Sequence, residues 1–137
     1  MPLLLEIVTP DKKVYSAEVD LVLMPTTEGE VGILPSHMPL LTQLAPGKLT
    51  ISQNNKREHL AVDKGFVQVI GNKVSVLTEG AINIEEIDLS AVEDAQKRAE
   101  KALADAAAED KDPAEIEQLE RIVRFSLAQK LAKNKRR

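Results

Sequence analysis

The sequence predicts an α+β protein: an N-terminal antiparallel β-sandwich or barrel followed by a C-terminal antiparallel two-helix hairpin. Three observations carry this. Residues 3–85 hold short apolar or alternating runs with turn signals about every 8–12 residues, the pattern of a sandwich or small barrel. Between Ile84 and Asp88 the apolar period lengthens to that of a helix. Two capping signatures, Ser90 with Glu93 and Asp112-Pro113 with Glu115, then open two long periodic runs. The expected division is a β domain over 1–85 and a helical domain over 86–137.

Taken in order, Leu3 to Val8 is a first strand, and Thr9-Pro10-Asp11-Lys12-Lys13 is a turn. Val14 and Tyr15 begin a second strand. The aliphatic run Val19 to Met24 is a third, expected to stop at Pro25. Lys48 to Gln53 alternates at period two and turns at Asn54-Asn55 into the run from Arg57 to Val62. Phe66–Ile70 and Lys73–Leu77 flank Gly71-Asn72, a two-residue link typical of a type I′ or II′ hairpin. In the first helix Val92, Ala95, Ala99, Ala102, Leu103 and Ala106 share a face. In the second, Ile116, Leu119, Val123, Leu127 and Leu131 form a stripe that runs into the basic end Lys133-Asn134-Lys135-Arg136-Arg137. A seam of alanines packs closely but buries little area, at about 25 cal/mol per Å². The hairpin is therefore expected to be only marginally stable against opening.

The chain has 137 residues, enough for one domain or one domain with an appendage. It contains no cysteine, which excludes disulfides, thiolate metal sites and cysteine nucleophiles. No apolar run approaches the roughly 20 residues that span a bilayer, and the start reads as a strand, not a signal peptide. The expectation is a soluble, cytosolic protein with no membrane insertion of its own. The net charge of −4 is unevenly spread. Residues 113–137 carry 7 Lys/Arg against 3 Asp/Glu, and no acid follows Arg121. Such an end marks an electrostatic contact or a helix end that complements its own dipole.

The stretch GEVGILPSHMPLLTQLAPGKL, from Gly29 to Leu49, reads neither as a helix nor as one clean strand. Pro35 and Pro39 remove backbone donors, so it must lie at a strand edge or in an ordered loop. Its apolar residues pin it to a core. This stretch resembles the signature of the epsilon subunit of F-type ATP synthase: Gly-Glu-small apolar-Gly-apolar-apolar-Pro-x-His-x-Pro-Leu, matched throughout from Gly29 to Leu40. The opening Leu5–Tyr15, the segment Gly65–Val69, the strand Val74–Leu77 and the tail opening at Ile87-Asp88 resemble that family in the same order.

The resemblance implies a non-catalytic central-stalk subunit at the cytoplasmic face of the bacterial plasma membrane. It would couple the gamma subunit to the c-subunit rotor ring during ATP synthesis. Its helices would reach the alpha/beta catalytic hexamer and inhibit hydrolysis. It implies rotor-ring or gamma contacts at Glu28, Glu30, Val31, His37 and Met38. For the tail, Arg121, Arg124, Lys130 and Lys133 are the expected contacts with acidic segments of a catalytic subunit. Some members bind ATP through Ile/Leu-Asp-x-x-Arg-Ala at the start of the first helix. Here Ile87 and Asp88 match, but Ala91 replaces the arginine and Val92 the alanine, while Arg98 matches a later basic position. Losing a guanidinium removes a bidentate phosphate partner, so ATP binding is expected to be weak or absent, with no other cofactor.

Other classes have less behind them. There is no phosphate-binding glycine loop and no nucleophile elbow. His37 and His59, the only histidines, lack metal-ligand spacing. A small β domain that binds nucleic acid through a basic helical arm is the rival reading. One tyrosine, two phenylalanines and no tryptophan leave little on which to stack bases.

Overall fold

The computed structural model describes residues 2–109 and 112–134, with the side chains of 107–109 excepted. The basic run Lys135–Arg137 and the Asp110-Lys111 break lie outside the described residues. Ten strands come first: β1 Leu3–Val8, β2 Lys13–Val19, β3 Leu21–Thr26, β4 Gly29–Ile33, β5 Leu40–Leu44, β6 Gly47–Gln53, β7 Lys56–Val62, β8 Gly65–Ile70, β9 Lys73–Thr78 and β10 Ala81–Asn83. A 3-10 turn at Ile84–Glu86 leads to helices α1 Leu89–Glu109 and α2 Pro113–Asn134.

The strands form one sheet in the order β10-β7-β6-β3-β5-β8-β9-β1-β2, with β4 paired to β3 outside that path. β2 comes back close to β6, so the sheet curls almost into a barrel. Leu5, Ile7, Val22, Met24, Ile51, Val69 and Val76 are among the side chains fully buried inside it. Alternate residues on each strand point in, as a period of two requires.

The two-residue turns behave as their sequences suggest. Asn54 and Asn55 both take positive φ, as a type I′ turn demands, and asparagine tolerates this. Gly71 alone takes positive φ in the β8–β9 link, the type II′ pattern. Four features differ from expectation. β1 pairs with β9 in parallel, because the two are far apart in the chain and no hairpin dictates their direction. β3 runs through Pro25 to Thr26. Pro25 sits where the neighbour on one side changes from β6 to β5, and its carbonyl accepts the Ala45 N–H at 2.9 Å.

The third concerns the first helix. Its cap is Asp88, not Ser90: the Asp88 carboxylate accepts the N–H groups of Ser90 at 3.0 Å and Ala91 at 3.3 Å. Ile87 is buried just before the cap and shares a cluster with Val92, a hydrophobic staple that sets the helix start two residues earlier. In α2, Asp112 caps as expected, accepting the Ala114 N–H at 3.0 Å.

α2 lies across the outer face of β6 and β7, and α1 packs along α2. The buried side chains of α2 are Ser126, Ala128 and Ala132, while Leu127 and Leu131 are 45% and 57% exposed. The last two members of the expected stripe therefore lie outside the seam, while Ile116, Leu119 and Val123 are half-buried. Small residues let α2 approach the sheet closely, and those two leucines turn outward.

Candidate functional site

The signature stretch is a hairpin arm followed by a braced loop. Thr26 Oγ1 donates to the Gly29 carbonyl at 2.6 Å and accepts the Glu28 N–H at 3.2 Å, closing the β3–β4 turn. Glu28 is exposed at this turn, and Glu30 is exposed along β4. Val31 is half-buried against the core. His37 and Met38 lie beyond the far end of β4. Glu30 to Leu34 alone spans about 13 Å at the usual rise per residue. The structure thus spreads Glu28 and His37 towards opposite ends of the body, with Glu30 between them.

The loop after β4 is held by Asn72, which the sequence marked as part of the β8–β9 turn and not as a brace. Ser36 takes φ of 67° and donates its N–H to the Asn72 side-chain oxygen at 2.6 Å. The Asn72 carbonyl accepts the Leu4 N–H at 2.7 Å. The β8–β9 turn therefore ties the loop to the start of β1. His37 Nδ1–H donates to the Met38 carbonyl at 2.7 Å, which fixes the ring against its own loop. Met38, 77% exposed, and Leu34 present apolar surface at this end.

A second surface lies on the outer face of β5, β8 and β9. Leu41, Phe66, Ile70 and Leu77 are all more than half exposed. Phe66 pairs with Leu77 across the strands, and no described element covers them. At the opposite end from Asn72, this face runs into an apolar groove of about 750 Å³, lined by Pro10, Thr27, Ala45, Pro46, Phe66 and Leu77 among others. Gly65 forms part of its wall, and a Cβ there would overlap the Leu77 carbonyl oxygen. The signal for this face was in the sequence: Phe66 to Ile70 has one polar residue in five, too apolar for a strand with one wet side.

The third site holds the hairpin to the body. Asp63, 1% exposed at the end of β7, receives Arg124 Nε–H at 2.7 Å and Nη2–H at 3.1 Å. The same guanidinium donates to Glu79 at 2.8 Å. The hydrogen bond to Asp63 pushes the Arg124 pKa above its ordinary high value, against the opposing effect of burial. Lys133 donates to the Ile84 carbonyl at 2.9 Å, and Lys130 to the Gln96 side chain at 3.2 Å, with Glu93 at 3.9 Å. Phe125 packs over Gly80, where a Cβ would stand 2.9 Å from its ring. Three of the four basic residues expected to meet a partner are thus engaged within the chain. Arg121 is in none of these pairs. Among the described residues, the exposed Arg98 donates to the Asp94 carbonyl at 3.4 Å, and the Asp88 carboxylate accepts from the backbone of Ser90 and Ala91.

No described helix is long and apolar enough to cross a membrane. The family model for the ATP synthase, Delta/Epsilon chain, beta-sandwich domain matches residues 2–84. The chain is 43% identical to the ATP synthase epsilon chain of Herpetosiphon aurantiacus over 136 residues, covering 98% of this chain and 99% of that one. It is 51% identical to the epsilon chain of Nitratidesulfovibrio vulgaris over 100 residues, covering 73% and 75%. Among solved structures, it is similar to a chain in the OSCP/F1/c-ring of the Euglena gracilis mitochondrial ATP synthase. That match has 26% identity and a TM-score of 0.69, and covers 94% of this chain and 79% of that one. With a curled β body of the matching kind and a relative aligned over nearly its whole length, the chain belongs to the ATP synthase delta/epsilon family, as an epsilon-type member.

Proposed function

We propose that this protein is a non-catalytic subunit of the central stalk of an ion-translocating ATP synthase. Its β body, residues 1–85, joins the gamma subunit to the c-subunit rotor ring, and its hairpin, residues 86–137, restrains ATP hydrolysis. The observation that carries this reading is the bare apolar face of β5, β8 and β9 with the adjoining groove. Exposed apolar area of this kind marks a protein interface, and we assign it to gamma. The ring contact falls to Glu30 on the exposed β4 and to Met38 and His37 in the braced loop, while Glu28, at the other end beside Thr27 of the groove, falls to gamma. Val31 seats the strand against the core.

The hairpin acts on the alpha/beta hexamer when it leaves the body. Opening would free Arg124, Lys130 and Lys133 together with Arg121, a cationic set that complements an acidic partner surface. ATP is not its ligand in this reading: Ala91 stands at the motif arginine, and the Asp88 carboxylate is occupied in capping. The subunit then works peripherally at the cytoplasmic face of the membrane, through other proteins.

Replacing Phe66 and Leu77 together by aspartate tests the central assignment. Capture of gamma should weaken about 30-fold or more, the scale of losing an interface hot spot. The thermal unfolding midpoint should fall only slightly: neither side chain is in the core, and the cost is the repulsion of two aspartates directly opposite on paired strands. Undiminished capture would remove the basis of the reading.

A further inference from the structure

The loop between β4 and β5, residues 34–39, has little backbone freedom. Pro35 and Pro39 have fixed φ, and the residues before them, Leu34 and Met38, are confined to extended backbone. Most of the remaining freedom lies at Ser36 and His37. The His37 N–H donates to the Leu34 carbonyl at 3.2 Å, closing a turn with Pro35 second and Ser36 third. With φ of 67° at Ser36, this is the pattern of a type II turn. The third place in such a turn favours Gly or Asn, because a Cβ is crowded at positive φ. Serine is held there by a contact from outside the loop: its N–H donates to Asn72 Oδ1 at 2.6 Å. Asn72 is itself fixed. Gly71 before it takes φ of 61° in the β8–β9 turn, and the Asn72 carbonyl accepts the Leu4 N–H at 2.7 Å.

We propose that Asn72 is a positioning residue for the rotor-ring contact, its side-chain oxygen fixing Ser36 and thereby the places of His37 and Met38. This rests on the assignment of the loop to the ring. The loop rejoins the sheet at Leu40, opposite Val69. A backbone rotation at Ser36 therefore swings what lies between, which is His37, Met38 and Pro39. Met38 is 77% exposed, so its place is set by the backbone and not by packing. The His37 Nδ1–H bond to the Met38 carbonyl lies inside the swinging segment and turns with it. Without the Asn72 oxygen, Ser36 relaxes towards negative φ and the loop samples several arrangements. The ring must then select the one that fits, and affinity falls by the fraction that is competent. Asn72 lies at the end of the β8–β9 face away from the groove, so gamma binding is insulated from the change.

The test uses the full chain bound to its cognate gamma subunit, with the purified c-subunit ring as the probe. Asn72→Ala should weaken ring binding about tenfold, the scale of one hydrogen bond, and leave capture of gamma unchanged. The Ser36 amide should exchange faster with solvent, while amides of β8 and β9 keep their protection. If alanine disturbs those strands, Asn72→Ser carries the same test, because serine suits the turn but its hydroxyl stops one bond short of the lost oxygen. Asn72→Asp keeps the acceptor and should return both ring affinity and Ser36 protection to near the wild-type values. A residue that served only the β8–β9 turn would not link these two readouts. Equal ring affinities for the wild type and Asn72→Ala would overturn the positioning role and leave the ring assignment standing. So would an Asn72→Asp protein that protects Ser36 yet binds the ring as weakly as Asn72→Ala. Failure of the wild-type complex to bind the ring would overturn both.

Discussion

The β body and the hairpin are built by different means. The body closes over Leu, Ile and Val side chains that are fully buried and drawn from nine of its ten strands. The hairpin buries mainly alanines, Ala99, Ala106, Ala128 and Ala132, and adds Ser126. Large aliphatic groups contribute about 1.5–3 kcal/mol each when fully buried, several times what an alanine methyl supplies. The body can therefore stand on its own core. The hairpin depends on caps, on a small cluster of Ile84, Ile87, Ala132 and Phe125, on the Lys133 bond to the Ile84 carbonyl and on the Arg124 pair with a buried carboxylate. An element held by a few directional contacts is easily switched, because a competing partner has only those contacts to replace.

The largest test of this contrast is removal of residues 86–137. Assembly and ion-driven synthesis should persist, while ATP hydrolysis by the assembled enzyme rises several-fold. Unchanged hydrolysis would refute the inhibitory role, and loss of assembly would show that the body needs its appendage. Gly80→Ala sharpens the contrast at a single contact. Its new methyl meets the Phe125 ring at 2.9 Å, and because the ring can tilt, the cost should be on the order of 1 kcal/mol. Hydrogen exchange should show that loss in α2 and not in the strands. An equal loss in both would mean that the two regions unfold as one unit.

The smallest effect belongs to the body alone. Glu6 accepts from Lys73 at 2.7 Å and Lys13 at 2.9 Å, and these hydrogen bonds, Lys73 first, lower its pKa from 4.5 to about 2. A depressed carboxylate stabilises the fold above its unfolded pKa and loses that contribution as pH falls through the folded one. Denaturant midpoints of the wild type should thus fall slightly more steeply between about pH 4.5 and 2 than those of Glu6→Gln. Added salt should shrink the difference, since the group is near the surface. Parallel pH profiles for the two proteins would remove this contribution.

Much of this architecture could be read from local chemistry. Asn54-Asn55 and Gly71-Asn72 announced their hairpins because few residues accept the required φ. Asp112-Pro113 announced α2 because proline suits only the first turn of a helix. The readings that missed were those in which a local rule had a competitor. Ser90 and Glu93 form a plausible cap, yet Asp88 takes the role because Ile87 is anchored in the body beside it. Pro25 looks like a stop, yet the sheet changes partners at that residue and tolerates it. Leu127 and Leu131 look like a seam, yet alanines bring α2 closer to the sheet.

By itself, then, the order of residues determined where turns, strands and helices form and which family signature the chain carries. These depend on backbone preference and on neighbours within a few positions. Tertiary structure alone decided that β1 runs parallel to β9, that Asn72 braces Ser36, and that Arg124 reaches back 61 residues to Asp63. Those outcomes depend on which segments meet in space, and the free energy of such meetings belongs to the closed body as a whole.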